Sequence, residues 1–140
     1  MIQQVSVFIE NRPGRLAEIL GYLAGEGIGL RAYSFAETSD FGIMRIVAQD
    51  AKAAMAALRR GGYTAKATDI LGILVSDETG SSVEAFTLLG EAGINIEYTY
   101  AFSTAPGESA LVLLRVDDNA KAAALLTRAG IHLAEHAELF

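Results

Sequence analysis

The stretch Glu10-Asn11-Arg12-Pro13-Gly14-Arg15-Leu16 separates two apolar segments and decides how the chain begins to fold. Residues 2–9 mix β-branched and aromatic residues with polar ones in short alternation, which is typical of a strand. Between positions 16 and 23, leucine and isoleucine recur at the spacing of one helical face. The sequence therefore predicts a strand, a tight loop and then an amphipathic helix from Pro13 to about Glu26.

The loop between that strand and helix has the chemistry of a carboxylate site. Pro13 fixes φ at a position in the first helical turn, where its missing N–H costs nothing, and Gly14 has no side chain to keep a ligand from the free N–H groups. The positive end of the helix dipole attracts an anion there. Asn11 adds an amide that both donates and accepts hydrogen bonds, which suits an amino acid. The alternative is a well-formed helix start without a ligand, in which Arg12 and Arg15 are solvated.

The elements that follow the first helix complete a β-α-β-β-α-β order. Gly25-Glu26-Gly27 ends the helix, and Ser39-Asp40-Phe41-Gly42 is a turn between two strands. The predicted elements are a strand from Ile28 to Thr38, a strand from Ile43 to Gln49, a helix that Asp50 caps and that runs to about Arg60, and a strand from Tyr63 to about Thr68.

The same order recurs in the second half of the chain, where segment 91–104 matches segment 25–38. Gly80 follows Gly14, and Gly93 follows Gly27, each 66 positions later. The predicted elements are strands at Ile70–Ser76, within 91–104, at Ser109–Val116 and at Ile131–Glu138, with helices at Val83–Ala92 and Asp117–Arg128. We therefore predict a first unit at residues 1–68 and a second unit at 69–140, each a four-stranded antiparallel sheet with its helices on one face. The two sheets are expected to join into one eight-stranded sheet, or the units at least to pack through their helices.

The composition excludes several classes of function. A chain of 140 residues with a net charge of −6 has too little positive charge for sequence-independent contact with phosphate backbones, so no nucleic acid partner is expected. The absence of cysteine excludes disulfides and thiolate chemistry. No stretch approaches the roughly 18 apolar residues of a membrane span, so a cytoplasmic protein with no membrane partner is expected.

The loop, the helix of about a dozen residues and the Gly-Ile pair that opens the next strand resemble the ACT domain, the small-molecule-sensing module of amino-acid metabolism. Two copies cover the whole chain. The first loop matches the family pattern of an acidic or asparagine residue before Pro-Gly with a leucine two places after it, whereas the second loop keeps Gly80 and lacks the Pro-Gly pair. The resemblance implies a ferredoxin-like α+β fold and an amino acid effector.

The resemblance also implies where an effector binds. In the serine-sensing regulatory domain of phosphoglycerate dehydrogenase, which the first loop resembles, the effector lies between the loop of one unit and the start of the second strand of its neighbour. Here that strand start is Ile94-Asn95-Ile96 in the second unit. Ile9 replaces a histidine of that relative, which argues against serine and favours an apolar or aromatic effector. The implied ligand-binding residues are Ile9, Asn11, Arg12, Pro13, Gly14, Arg15, Leu16, Ile94, Asn95 and Ile96.

The two loops differ in charge, and this difference predicts one effector per chain. Asp77 and Glu78 in the second loop repel a carboxylate, and Gly29, the counterpart of Asn95, has no side chain to hold an amino group. The acidic pairs Asp77-Glu78 and Asp117-Asp118 complement helix dipoles.

Three classes of function remain. The first is a regulatory protein that senses an amino acid and signals to a partner enzyme of amino-acid metabolism, either as a monomer or as a homodimer. The second is a structural dimerisation module without a ligand, and the third is a small ferredoxin-like enzyme. The sequence has no nucleophile–base pair, metal-ligand set or cofactor loop, so no catalytic residue, metal or cofactor is predicted. His132 and His136 lie in a predicted strand, where their spacing of roughly 13 Å is too wide for one metal ion.

Overall fold

The computed structural model describes residues 1–76, 78–103 and 107–140. Its elements are β1 (Ile2–Glu10), α1 (Arg15–Gly25), β2 (Leu30–Glu37), β3 (Phe41–Ala48), α2 (Ala51–Arg60), β4 (Thr64–Val75), α3 (Val83–Glu91), β5 (Ile96–Phe102), β6 (Ala110–Val116), α4 (Asn119–Arg128) and a 3₁₀ helix at His136–Leu139. The chain divides into two compact units. The first unit comprises Gln3–Thr68 with Leu139–Phe140, and the second comprises Met1–Ile2 with Asp69–Glu138.

In the first unit, α1 and α2 pack on one face of an antiparallel sheet. β3 pairs with both β1 and β2, so that Ile46 lies opposite Val5 on one side and Tyr33 on the other. Alternate residues of β1 point into the core, and α1 adds the buried Ile19 and Leu23, as the helical spacing predicts. The side chain of Asp50 accepts a hydrogen bond from the N–H of Ala53 and caps α2, as predicted.

The second unit repeats this plan. β6 pairs antiparallel with β4 and β5, and α3 and α4 contribute Leu89 and Leu126 to its core. Asp118 caps α4 by accepting a hydrogen bond from the N–H of Lys121, which parallels the Asp50 cap in the first unit. Both units therefore use the same kind of helix start after the third strand of the repeat.

The strands of the described residues form a six-stranded sheet with the order β2-β3-β1-β4-β6-β5. The prediction of an eight-stranded sheet is therefore wrong. The predicted strands Tyr63–Thr68 and Ile70–Ser76 are one continuous strand, β4, which runs through Asp69 without a turn. The predicted strand Ile131–Glu138 makes only an isolated bridge between Leu133 and Ile73. The chain then turns into the 3₁₀ helix, where the Glu138 carboxylate accepts a hydrogen bond from the N–H of Glu135.

Among the described residues, no helix is both long and apolar enough to cross a bilayer.

Candidate functional site

The first loop contains a tight turn directly before α1. The N–H of Arg15 donates to the carbonyl of Arg12 over 3.3 Å, and Gly14 has φ 85° and ψ −13°, the geometry of the third residue of a type II turn. That position requires a positive φ and therefore favours glycine, while proline suits the position before it. The prediction that Pro13 lies in the first helical turn is wrong, since α1 begins at Arg15.

The start of α1 has no side-chain cap among the described residues, since Gly14 occupies the N-cap position. The N–H groups of the first helical turn therefore keep the partial positive charge that attracts an anion. Glu18 is acidic in this turn, but its carboxylate is 2.7 Å from the guanidinium of Arg15. The geometry at the helix start is suited to a carboxylate or another small anion.

Asn11 attaches the loop to the turn between β2 and β3. Its N–H donates to the carbonyl of Asp40 over 2.9 Å, and its side-chain Nδ2 donates to the carboxylate of Glu37 over 2.9 Å and to the carbonyl of Thr38 over 3.3 Å. Both hydrogens of the side-chain NH₂ group are therefore used within the protein. The sequence predicts that the Asn11 amide both donates a hydrogen bond to a ligand and accepts one from it. In the structure its Oδ1 is the side-chain atom left to contact a ligand, and this atom can only accept.

Arg12 and Glu10 form an exposed ion pair at the mouth of the loop. The Nε of Arg12 lies 2.7 Å from the Glu10 carboxylate. This hydrogen bond and the charge of Arg12 lower the pKa of Glu10 below its ordinary value. Glu10 is therefore ionised at neutral pH and compensates the charge of Arg12.

Arg15 is the more enclosed of the two loop arginines, with its side chain only 17% exposed. Its guanidinium lies 5.6 Å from the centre of the Tyr63 ring, within the range of a cation–π contact. The hydrogen bond to Glu18 raises the pKa of Arg15 above its ordinary value. The buried Nε has no hydrogen-bond acceptor among the described residues, so Arg15 retains one unsatisfied donor beside the loop.

These residues surround a cavity of about 380 Å³. Its walls are Ile9, Glu10, Asn11, Arg12, Pro13, Gly14, Arg15, Leu16 and Phe35. The cavity brings together all seven first-unit residues that the sequence predicts for the site. Glu10 and Phe35 were not predicted, although Glu10 directly precedes Asn11. Phe35 is distant in sequence and reaches the cavity only through strand pairing, which no local pattern indicates.

The predicted residues of the second unit lie where α3 leads into β5. Ile94 is buried in the core of that unit, and Ile96 packs against the same core. Asn95 between them is exposed, and its backbone exchanges two hydrogen bonds of 3.2 Å with Asp117. The participation of Ile94, Asn95 and Ile96 in ligand binding stays a prediction.

The second loop has the same turn as the first but a different lining. The N–H of Ser81 donates to the carbonyl of Glu78 over 3.1 Å, and Gly80 has φ 80°, while Thr79 replaces the proline. A cavity of about 570 Å³ lies beside it, with Glu78, Glu84 and His132 in its wall. Asp77, which the sequence also assigns to this loop, lies outside the described residues.

No group of three His, Asp or Glu side chains in the described part of the chain is arranged to hold a metal ion. His132 instead pairs with Glu138, with 3.0 Å between Nε2 and the carboxylate.

The fold matches solved structures over nearly its whole length. Protein BT0572 from Bacteroides thetaiotaomicron is 33% identical, with a TM-score of 0.91 and coverage of 99% of this chain and 94% of that chain. The regulatory subunit of aspartate kinase from Thermus flavus is 22% identical, with a TM-score of 0.65 and coverage of 91% and 88%. The ligand-free regulatory subunit of aspartate kinase from Thermus thermophilus is 19% identical, with a TM-score of 0.62 and coverage of 91% and 92%.

A sequence comparison with curated proteins found no significant match. The family model described as "ACT domain pair" matches residues 1–140, in agreement with the two repeats and with the resemblance of the first loop. The chain therefore belongs to the ACT domain pair family.

Proposed function

We propose that this protein is a regulatory protein that binds one free amino acid at its first loop and transmits the bound state to a partner enzyme of amino-acid metabolism. The observation that supports this most directly is the cavity at the uncapped start of α1, which combines a helix N-terminus, a fixed arginine and an apolar wall. Cavities that bind small molecules have this composition of a mainly apolar lining with a few directed polar groups.

Each end of an amino acid has a partner in this arrangement. The α-carboxylate binds the free N–H groups at the start of α1 and the unsatisfied Nε of Arg15. The α-amino group donates to the Oδ1 of Asn11 and lies near the ionised carboxylate of Glu10. The proposal also keeps Asn95 as a ligand-binding residue, because the resemblance to the family implies it.

The proposal assigns regulation rather than catalysis to the chain. The two Thermus structures are named as regulatory subunits of aspartate kinase, and they have the same fold. By analogy, the partner of this protein is a separate enzyme that acts in the synthesis or breakdown of amino acids.

A thermal-shift panel of the twenty amino acids tests binding. An amino acid present at one hundred times its Kd adds about 2.7 kcal/mol to the free energy of unfolding and therefore raises the Tm. If none of the twenty raises the Tm, the protein is not an amino acid sensor, and the structural dimerisation module becomes the better account.

Calorimetric titration with the best amino acid of the panel then tests the site. We expect one ligand per chain. Arg15→Met, Asn11→Ala and Asn95→Ala should each weaken binding by roughly ten- to a hundred-fold, because each removes a hydrogen bond to a charged group. Glu78→Ala in the second loop is the control and should leave the affinity unchanged. Two ligands per chain, or full affinity in all three site variants, would contradict the proposal.

A further inference from the structure

The inner wall of the first cavity depends on a glycine in β3. Gly42 pairs with Ile9 of β1 on one side and with Glu37 of β2 on the other. A Cβ built on Gly42 would lie 2.1 and 2.2 Å from two carbon atoms of the Phe35 ring. The ring therefore occupies the space that any side chain at position 42 would need, and this places Phe35 beside Ile9.

The charged groups around the cavity are already compensated within the protein. Arg12 pairs with Glu10, and Arg15 pairs with Glu18, each at 2.7 Å. Besides Asn11 and the Pro-Gly pair, the rest of the wall is apolar: Ile9, which is 2% exposed, and the half-buried Leu16 and Phe35. A charged or strongly polar ligand side chain would lose water against these groups without gaining a partner.

We propose that the effector is an amino acid with an apolar side chain, aliphatic or aromatic, which packs against Phe35 and Ile9. This inference rests on the proposed binding of an amino acid at the first loop. The α-carboxylate and α-amino groups are common to all candidates, so the wall formed by Ile9, Leu16 and Phe35 determines which amino acid is preferred. Gly42 is then a specificity-determining residue, although it does not line the cavity itself.

The test compares ligands that share a shape but differ in polarity. Calorimetric titration should give leucine an affinity at least about ten-fold higher than asparagine, and valine a higher affinity than threonine. Glycine serves as the reference, since it carries the common groups without a side chain. If a charged or polar amino acid binds most tightly, this inference is wrong and the proposed function stands. If no amino acid binds, both are wrong.

Variants of Phe35 and Gly42 test whether this wall is responsible. Phe35→Ala should weaken leucine binding about ten-fold or more while leaving glycine binding unchanged, because only the side-chain contact is lost. Gly42→Ala should have the same effect, since its methyl group forces the Phe35 ring to move. Phe35→Leu keeps an apolar wall and should retain most of the affinity, which separates loss of contact from loss of folding.

The control is Tyr33→Ala, an aromatic truncation on the same strand. Tyr33 is 58% exposed and does not line the cavity, so the affinity for leucine should not change. An equal loss of leucine and glycine affinity in Phe35→Ala would overturn the inference, because Phe35 would then only hold the loop in place.

Discussion

At the scale of single residues, the Pro-Gly pair of the first loop forms a turn rather than the beginning of a helix. The turn hydrogen bond joins Arg12 and Arg15, and Gly14 has the positive φ that the turn requires. Gly80 repeats that conformation in the second loop without the preceding proline. The glycine is therefore the part of the motif that the turn geometry needs, and the proline restricts the chain before it.

Gly14→Ala should lower the free energy of unfolding by about 1–2 kcal/mol, because an L-residue other than glycine is strained at this φ. The surroundings are open, with no atom within 4 Å of a built Cβ, so the backbone conformation alone causes the loss. Gly25→Ala is the matched control, since it also faces open space but lacks a positive φ. Urea unfolding of the three proteins measures the difference, and equal stability of the two variants would contradict the prediction.

The carboxylate of Glu138 stabilises the last turn of the chain through its contacts with Glu135 and His132. The backbone N–H of Glu135 is the main cause of its lowered pKa, and the side chain of His132 contributes further. The stabilisation is complete above the ordinary pKa of about 4.3 and is lost as the pH falls through the lower, folded value. NMR titration of the carboxyl carbon should show a midpoint below that ordinary value, and His132→Ala should reverse only part of the shift. An unshifted midpoint in the native protein would contradict this.

At the scale of elements, the side chain of Tyr22 in α1 makes a hydrogen bond to α2. Its hydroxyl donates to the carbonyl of Ala57, and its ring lies 5.6 Å from that of Tyr63. A Cβ built on Gly61, the C-cap of α2, would be 2.7 Å from the Tyr22 ring, so any side chain at this position would force Tyr22 to move. The glycine in the turn after α2 therefore leaves the space that the Tyr22 ring of α1 occupies.

Tyr22→Phe should lower the free energy of unfolding by about 0.5–1.5 kcal/mol, which is typical of one lost hydrogen bond. Tyr33→Phe removes a hydroxyl from an exposed tyrosine and should change stability little. Chemical denaturation of both variants makes the comparison, and an equal effect of the two substitutions would show that the bond to Ala57 contributes nothing.

Sequence patterns predict the structure well where neighbouring residues determine it. They predict it poorly where strands that are distant in sequence pair with one another. The cap by Asp50 and the buried face of α1 were predictable from short patterns. The early end of the predicted strand Ile131–Glu138 was not predictable from such patterns, because hydrogen bonds around Glu138 compete with pairing in the sheet. Phe35 was missed for a related reason, since only the register of β1, β3 and β2 places it over Gly42 and beside the loop.

At the scale of the whole molecule, the chain is not a simple succession of two independent halves. β4 runs without a break from Thr64 to Val75, across the boundary between the two units. Ile2 at the other end of the sequence belongs to the second unit and is fully buried, with its side chain against Gly72. A division of the chain in the middle therefore separates residues that fold together.

A fragment of residues 1–68 should accordingly be unfolded or should associate with itself. It ends inside β4 and exposes Ile2, and about 70 residues bury only a thin core. Circular dichroism and sedimentation of the fragment, beside the full chain under the same conditions, test this. A folded, monomeric fragment would show that the first unit needs nothing beyond Thr68.

The hydrogen bonds from Asn11 to segment 37–40 also predict how the first loop opens to solvent. The N–H groups of Asn11 and Thr38 are both bonded at this junction, to the carbonyls of Asp40 and Phe41, and we expect the two hydrogen bonds to open together. Their amide hydrogens should therefore exchange with deuterium at similar rates, as parts of one opening unit. If an amino acid binds only the closed loop, a concentration of one hundred times Kd should slow both rates about a hundred-fold. The effect would extend to the β2–β3 turn, which the ligand itself does not touch.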